Sequence, residues 1–185
     1  MDKLAEIMDW KRKEISSRIR PVNMNDLKTI GERMSANRSF HDSLINQDEL
    51  SIIAEIKRKS PSAGDIAEGA SAVEQARTYL NADVDALSVL TDHKYFGGEL
   101  KDLWEINDFL SNHQRGIPTL RKDFMVHPIQ VLEALEAGAR AILLIVRALS
   151  NDELKILREA ADVSGLDCLY EIHEATEKAQ TESLD

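Results

Sequence analysis

The chain has 185 residues, of which 43% are hydrophobic and 30% are charged. This balance is typical of a folded globular domain and argues against a disordered chain. Its 33 acidic and 23 basic residues give a formal net charge of -10, which argues against nucleic acid or an anionic membrane surface as a partner.

The sequence also lacks the features of disulfide-linked, secreted, membrane-spanning and metal-binding proteins. A single cysteine, Cys168, excludes an intrachain disulfide framework and fits a reducing compartment, so we expect a cytoplasmic protein. The N-terminus lacks the apolar core of a signal peptide, and no apolar run approaches the length of a membrane span. The histidines show no metal-ligand spacing, so we interpret them as surface or loop residues and expect no metal site.

The first fifty residues are predicted to be helical. Ile7, Lys11 and Ile15 recur at helical spacing within 2–18, which predicts an amphipathic helix there. A second helix is predicted to start near Asn25, which would act as its N-cap. We therefore assign residues 1–50 to an N-terminal helical extension that forms one domain with the rest of the chain.

From residue 51 onward, short apolar runs alternate with helical patterns. The predicted strands occupy 52–56, 86–90, 119–122, 141–146 and 167–172. The predicted helices occupy 71–81, 100–111, 128–137 and 151–164, and another begins near residue 174. Strands that alternate with helices in this way are typical of a parallel α/β sheet.

The spacing of the strands bears on the type of sheet. Successive strands start about 29 residues apart, and eight such units would need roughly 230 residues, the size of a (β/α)8 barrel. Residues 51–185 would then hold strands one to five of a TIM barrel that is incomplete at its C-terminal end. An open doubly wound sheet is the alternative, but no Gly-x-Gly-x-x-Gly or Gly-Lys-Ser/Thr loop supports it.

The first predicted strand leads into a loop that suits an anionic ligand, in the stretch IIAEIKRKSPSAGDI. Strand alternation places Ile53, Glu55 and Lys57 on one face. A carboxylate and an ammonium group therefore emerge together at the C-terminal end of the strand, where parallel α/β proteins bind ligands. The two basic residues that follow, Arg58 and Lys59, are interpreted as a solvated turn.

Two further strands end in ionisable residues, Lys122 on the third strand and Glu171 on the fifth. In a barrel, alternate strands supply the same layer of inward side chains. Lys57, Lys122 and Glu171 are therefore predicted to meet at the mouth of the barrel. An ammonium group near a carboxylate in a partly dry mouth can act as an acid and base pair.

The chain contains four longer motifs in this order: IIAEIKRKSPSAGDI, LSVLTDHKYFGG, LRKDFMVHPIQVLEALEAGARAILLIV and LYEIHE. Together they resemble indole-3-glycerol-phosphate synthase of tryptophan biosynthesis. The resemblance implies a (β/α)8 barrel with an N-terminal helical extension. It also implies a lyase that needs no cofactor or metal. Such an enzyme converts 1-(2-carboxyphenylamino)-1-deoxyribulose 5-phosphate into indole-3-glycerol phosphate by ring closure, loss of carbon dioxide and loss of water. A different phosphosugar barrel enzyme would have to account for all four motifs together.

The resemblance also implies roles for individual residues. Lys122 corresponds to the general acid that protonates the carbonyl oxygen of the substrate, and Glu171 to the base for dehydration. Lys57 corresponds to the lysine that contacts the departing carboxylate and is a second candidate acid, while Glu55 orients the lysines and the substrate. The sequence leaves open which lysine donates which proton. The implied substrate-binding residues are Ser60, Phe96, Phe124 and Leu143.

The family pattern continues with three more strands, and their site residues are absent from these 185 residues. Because the main phosphate contacts of such barrels lie after strands seven and eight, we expect this chain alone to have little or no activity. The alternative is a catalytically inactive partial barrel that needs a complementary fragment or a second copy of itself. Open edges at strands one and five would favour such association.

Overall fold

The computed structural model describes residues 3–34, 39–45, 50–66 and 69–182. The strands of the main sheet are β1 (Ile53–Ile56), β2 (Ala86–Leu90), β3 (Thr119–Lys122), β4 (Ala141–Ile145) and β5 (Asp167–Glu171). The helices are α1 (Lys3–Ile15), α2 (Met24–Met34), α3 (Phe40–Leu44), α4 (Ala72–Asn81), α5 (His93–Phe96), α6 (Leu100–Ser111), α7 (Pro128–Glu136), α8 (Asn151–Ser164) and α9 (Ala175–Glu182). A hairpin joins two-residue strands at Lys59–Ser60 and Gly64–Asp65, and a 3-10 turn follows β4 at Val146–Ala148.

The five strands pair in parallel and in chain order, β1-β2-β3-β4-β5. Their register places Leu90 beside Lys122 and Ile145 beside Glu171, so the C-terminal ends of the strands lie along one edge of the sheet. A doubly wound sheet reverses its strand order at a switch point, and the described strands show no reversal. The predicted parallel α/β architecture is confirmed, and the doubly wound alternative is wrong for this part of the chain.

The sheet has apolar side chains on both faces. On the outer face, Leu87 and Ile142 belong to a large core that packs the sheet against the surrounding helices. On the inner face, Leu120 and Leu143 belong to a second cluster that includes Ile7 of α1. The N-terminal extension therefore covers part of the inner face of the sheet.

Most element boundaries lie close to the predicted ones, and β2, β3, α6 and α8 match their predicted ranges. The predicted cap of α2 is wrong. The helix begins at Met24, and the side chain of Asn23 accepts a hydrogen bond from the backbone N–H of Asn25 at 2.9 Å. Asn23 therefore takes the N-cap role two residues earlier, where an asparagine can satisfy a free N–H group of the first turn.

The sequence patterns did not reveal α3, α5 or the hairpin, because each is too short to show a period. The helix α5 depends on its caps. The carboxylate of Asp92 accepts a hydrogen bond from the N–H of Tyr95 at 2.7 Å, and Gly97 ends the helix with a φ of 67°. These local contacts fix the position of Phe96 at the C-terminal edge of the sheet.

The close contact between α2 and α8 yields a testable prediction. A Cβ atom on Gly31 would lie 2.1 Å from the carbonyl oxygen of Ser164. We expect Gly31→Ala to lower the free energy of unfolding by about 1–3 kcal/mol, because the helices must separate to admit the methyl group. Urea denaturation measures this difference.

Gly116→Ala is the matched control, because a Cβ atom at Gly116 would lie 3.8 Å from the oxygen of Leu110, an ordinary contact distance. Its free energy of unfolding should differ little from that of the parent. Equal stability of the two variants would contradict the proposed effect of the contact at Gly31.

Candidate active site

A cavity of about 240 Å³ opens on the inner face of the sheet, at the C-terminal ends of the strands. Ligands bind at this edge in parallel α/β proteins and barrels. The cavity gathers seven of the eight predicted site residues, from β1, β3, β4, β5 and the segments that follow β1, β2 and β3. These residues are Glu55, Lys57, Phe96, Lys122, Phe124, Leu143 and Glu171.

Glu55 connects the two predicted catalytic lysines. Its Oε1 accepts a hydrogen bond from Nζ of Lys57 at 2.6 Å, and its Oε2 accepts one from Nζ of Lys122 at 3.0 Å. Partial burial opposes ionisation of Glu55, but the hydrogen bonds and charges of both lysines outweigh this effect and lower its pKa. The site therefore holds an ionised carboxylate between two ammonium groups.

Glu171 lines the same cavity without contacting this trio. In the described chain, Nε2 of His173 lies 3.6 Å from Oε1 of Glu171. The side chain of Glu171 is 36% exposed, so it is open to the cavity and to water. The site thus contains a second carboxylate, which forms no ion pair with a lysine among the described residues.

The cavity also has an apolar wall. The rings of Phe96 and Phe124 lie 6.0 Å apart between centroids and are tilted by 36°. Leu143, on the inner face of β4, lines the same space. Aromatic pairs at this separation interact favourably, and their apolar faces suit an aromatic ligand.

Ser60 is not brought to the cavity. It lies in the hairpin after β1, where its hydroxyl accepts a hydrogen bond from the N–H of Ala63 at 3.1 Å. The structure gives Ser60 a local role in this turn, and its assignment as a substrate contact stays a prediction.

The interpretation of Arg58 and Lys59 as a solvated turn is wrong for Arg58. Its guanidinium forms two hydrogen bonds of 2.6 Å to the carboxylate of Asp102, and others of 3.0 Å to the carbonyl oxygens of Ala70 and Gly97. Paired, fork-like contacts of this kind are the strongest form of arginine–carboxylate interaction. Arg58 therefore fixes the loop after β1 against α6 and the segment after α5.

Several cavity residues were not predicted from the sequence. Arg147 follows β4 much as Lys57 follows β1, so its position after a strand was an available signal. Leu4 of α1 carried no such signal, because nothing local places that helix over the sheet. The residues missed are Leu4, Leu90, Asp123, Ile145, Arg147 and His173.

Some kinds of site find no support in the structure. Within residues 3–34, 39–45, 50–66 and 69–182, no group of three or more His, Cys, Asp or Glu side chains is arranged to hold a metal ion. None of the described helices has the length and apolar character that crossing a membrane requires.

The single cysteine is not suited to nucleophilic catalysis. Burial raises the pKa of Cys168 to about 12, so its thiol is protonated at neutral pH and is a poor nucleophile.

A family model described as indole-3-glycerol phosphate synthase matches residues 4–185. The chain belongs to the indole-3-glycerol phosphate synthase family. Membership implies a TIM barrel, and the parallel sheet in chain order agrees with that fold.

Curated relatives named indole-3-glycerol phosphate synthase show the same similarity. The relative from Opitutus terrae is 52% identical over 177 residues, which are 95% of this chain and 66% of the relative. The Leptospira interrogans relative is 47% identical over 139 residues, 75% of this chain and 53% of the relative. The Hyphomonas neptunium relative is 40% identical over 177 residues, 94% of this chain and 65% of the relative. The chain thus spans between about half and two thirds of the length of these relatives.

The lowered pKa of Glu55 predicts how stability depends on pH. A carboxylate whose pKa is lower in the folded state stabilises the fold fully above its ordinary value, here 4.5, and loses this contribution as the pH falls through the folded-state pKa. The difference in free energy of unfolding between the parent and Glu55→Gln should therefore be constant near neutral pH and change below 4.5. Urea denaturation at a series of pH values measures it.

Glu159→Gln is the matched control, since Glu159 is exposed on α8. Its difference from the parent should stay near zero over the same pH range. A Glu55→Gln difference that is unchanged between about pH 7 and pH 3 would show that the lysines do not hold Glu55 ionised.

Proposed function

We propose that the cavity catalyses the conversion of 1-(2-carboxyphenylamino)-1-deoxyribulose 5-phosphate into indole-3-glycerol phosphate, the reaction for which the family is named. The observation that carries this proposal is the trio of Lys57, Glu55 and Lys122 beside two phenylalanine rings. The substrate has a carboxylate, a phosphate and an aromatic ring. Cations next to an apolar wall match that combination.

We assign Lys122 as the general acid. It protonates the carbonyl oxygen of the substrate while the ring carbon that bears the carboxylate attacks the carbonyl carbon. Lys57 contacts that carboxylate, which leaves as carbon dioxide, and is the second candidate acid. Glu55 touches both ammonium groups and thereby holds them at one end of the cavity. Fixed charges of this kind stabilise the charge that develops in a transition state.

We assign Glu171 as the base for dehydration. Once carbon dioxide has left, loss of water requires removal of a proton from the new ring and protonation of the hydroxyl group that leaves, for which the two lysines are the candidate donors. Glu171 lines the cavity and, in the described chain, forms no ion pair with either catalytic lysine. Its carboxylate therefore keeps oxygen atoms open to receive that proton.

We assign the aromatic part of the substrate to the wall formed by Phe96, Phe124 and Leu143. Arg147 lines the same cavity, and its positive charge suits an anionic group of the substrate. Local cations are necessary for this ligand, because the chain as a whole carries a formal charge of -10. Ser60 is retained as a predicted contact from the loop that follows Lys57.

We further propose that the five strands belong to an eight-stranded barrel, and that residues 1–50 and 51–185 form one domain. Contact between α1 and the inner-face cluster supports the single domain. Ile53 and Leu169 on the inner face are each 39% exposed, as expected where barrel strands lack neighbours. A small phosphosugar remains the expected partner, and the cytoplasm the predicted location.

The activity is tested by joining residues 1–182 to the remaining C-terminal part of the Opitutus terrae relative. We expect this fusion to form indole-3-glycerol phosphate, measured by the fluorescence of its indole ring, and the chain alone to form little or none. A folded fusion that is no more active than its Lys122→Met variant would contradict the proposed function.

Within that fusion, we expect Lys122→Met or Glu171→Gln to lower kcat by at least about 100-fold, the usual size of a lost acid or base. The melting temperature should change little, because both side chains line the cavity and are about one third exposed. Lys155→Met, at an exposed position on α8, serves as the control and should retain full activity. If kcat fell by less than about threefold, roughly 0.65 kcal/mol, the catalytic role assigned to that residue would be wrong.

The exposed inner face also favours a second candidate, self-association of the chain. Among the described strands, β1 and β5 each pair on one side only, which leaves backbone groups open to a second copy. We expect sedimentation velocity to show concentration-dependent dimers that Ile53→Lys weakens. Ile156→Lys, at a position 47% exposed on α8, should leave the association unchanged. A monomer at all concentrations would exclude this candidate.

A further inference from the structure

We propose that Lys11 of α1 is a positioning residue, which fixes the separation of the Phe96 and Phe124 rings. This inference rests on the proposed function, because it concerns the wall that would hold the aromatic part of the substrate. The N-terminal helix would thus determine the positions of the two rings through two buried aspartates.

Lys11 is 1% exposed, although it belongs to a helix whose other lysines lie at the surface. Its Nζ lies 2.8 Å from Oδ1 of Asp92, 3.0 Å from Oδ1 of Asp123 and 2.6 Å from Oε2 of Glu14. Burial opposes the charged form of Lys11, but the carboxylates of Asp123 and Asp92 outweigh it and raise the pKa of the lysine. A buried ammonium group therefore joins two segments that are distant in the sequence.

The first segment carries Phe96. Asp92 is fully buried, and while its Oδ1 meets Lys11, its Oδ2 caps α5 by accepting a hydrogen bond from the N–H of Tyr95 at 2.7 Å. Phe96 is the next residue and the last of that helix. Movement of Asp92 would therefore move the whole short helix and the ring at its end.

The second segment carries Phe124. Asp123 accepts a hydrogen bond from the N–H of Phe124 at 2.8 Å through the same oxygen that meets Lys11. Its other oxygen accepts hydrogen bonds from the hydroxyl of Thr91 at 2.7 Å and from the guanidinium of Arg121 at 2.9 Å. Both carboxylate oxygens of Asp123 therefore have partners, and the aspartate fixes the start of the segment that bears the second ring.

Replacing the ammonium group with an uncharged chain would take away the cation that the buried Asp92 shares with Asp123, and Arg121 would contact Asp123 alone. A buried carboxylate without a cation beside a second carboxylate is strongly unfavourable, so the Asp92 and Asp123 segments would separate or admit water. Because each ring follows closely after its aspartate, the rings would separate as well. Lys11 thereby acts on the substrate wall without touching the cavity itself.

The chain offers a matched control on the same helix. Arg12 forms an ion pair with Glu153 of α8 at 3.0 Å, which also ties α1 to the rest of the molecule. Among the described residues, the ion pairs of Arg12 are with Asp9 and Glu153, and neither partner belongs to a segment that carries a ring of the wall. Arg12→Met removes a tether of α1, whereas Lys11→Met removes the tether that spans Asp92 and Asp123.

The experiment measures binding of N-(2-carboxyphenyl)glycine, an anionic arylamine, by calorimetry to the full chain at a temperature where each variant is folded by circular dichroism. We expect Lys11→Met to weaken binding at least tenfold and Arg12→Met to change it less than twofold. Lys11→Arg should recover part of the affinity, because a guanidinium can also contact both aspartates. Equal affinities of the parent and Lys11→Met would overturn the proposal.

A crystal structure of the Lys11→Met variant separates this inference from the proposed function. We expect the centroids of Phe96 and Phe124 to lie at least about 1 Å further apart than the 6.0 Å of the parent. An unchanged separation would overturn the role of Lys11. Failure of the parent to bind the arylamine, together with a widened ring pair in the variant, would count against the proposed function and in favour of the positioning role.

Discussion

The carboxylate of Glu55 makes the rest of the candidate site possible, because it lies between the ammonium groups of Lys57 and Lys122. Without that anion, two cations held at one end of a partly buried cavity would repel each other at a cost in free energy. An anion between them removes much of that cost and fixes where each cation points. Ser88 of β2 lies beside Glu55 in the register, and it lines a cavity together with Glu55 and Lys122.

The parallel sheet explains why this part of the site was predictable. Alternation along a strand decides which side chains share a face, and parallel pairing brings the C-terminal ends together. From these two rules, the sequence predicts that Glu55, Lys57, Lys122 and Glu171 lie at one edge, and the cavity contains all four. Their chemical roles came from the family resemblance and remain proposals, because geometry alone does not tell which group donates a proton.

The remaining features depend on contacts between distant parts of the chain. Arg58 looked like a surface cation because its partner, Asp102, lies 44 residues further on. Lys11 did leave a signal, since it occupies a position of the apolar stripe of α1 where a charge needs a buried partner. The partners themselves, Asp92 and Asp123, could not be identified until the fold placed α1 over the inner face of the sheet.

The positions of the two carboxylates suggest how one cavity can provide both an acid and a base. A carboxylate that accepts hydrogen bonds from two lysines stabilises their charge and is itself a weak base. Glu55 is in this state, whereas Glu171 lines the same cavity from β5 and contacts neither lysine in the described chain. The sheet order keeps them apart, because β5 is separated from β1 by three strands. One cavity can therefore hold both the lysines that act as acids and the carboxylate that acts as a base, because Glu55 and Glu171 belong to strands that are not neighbours.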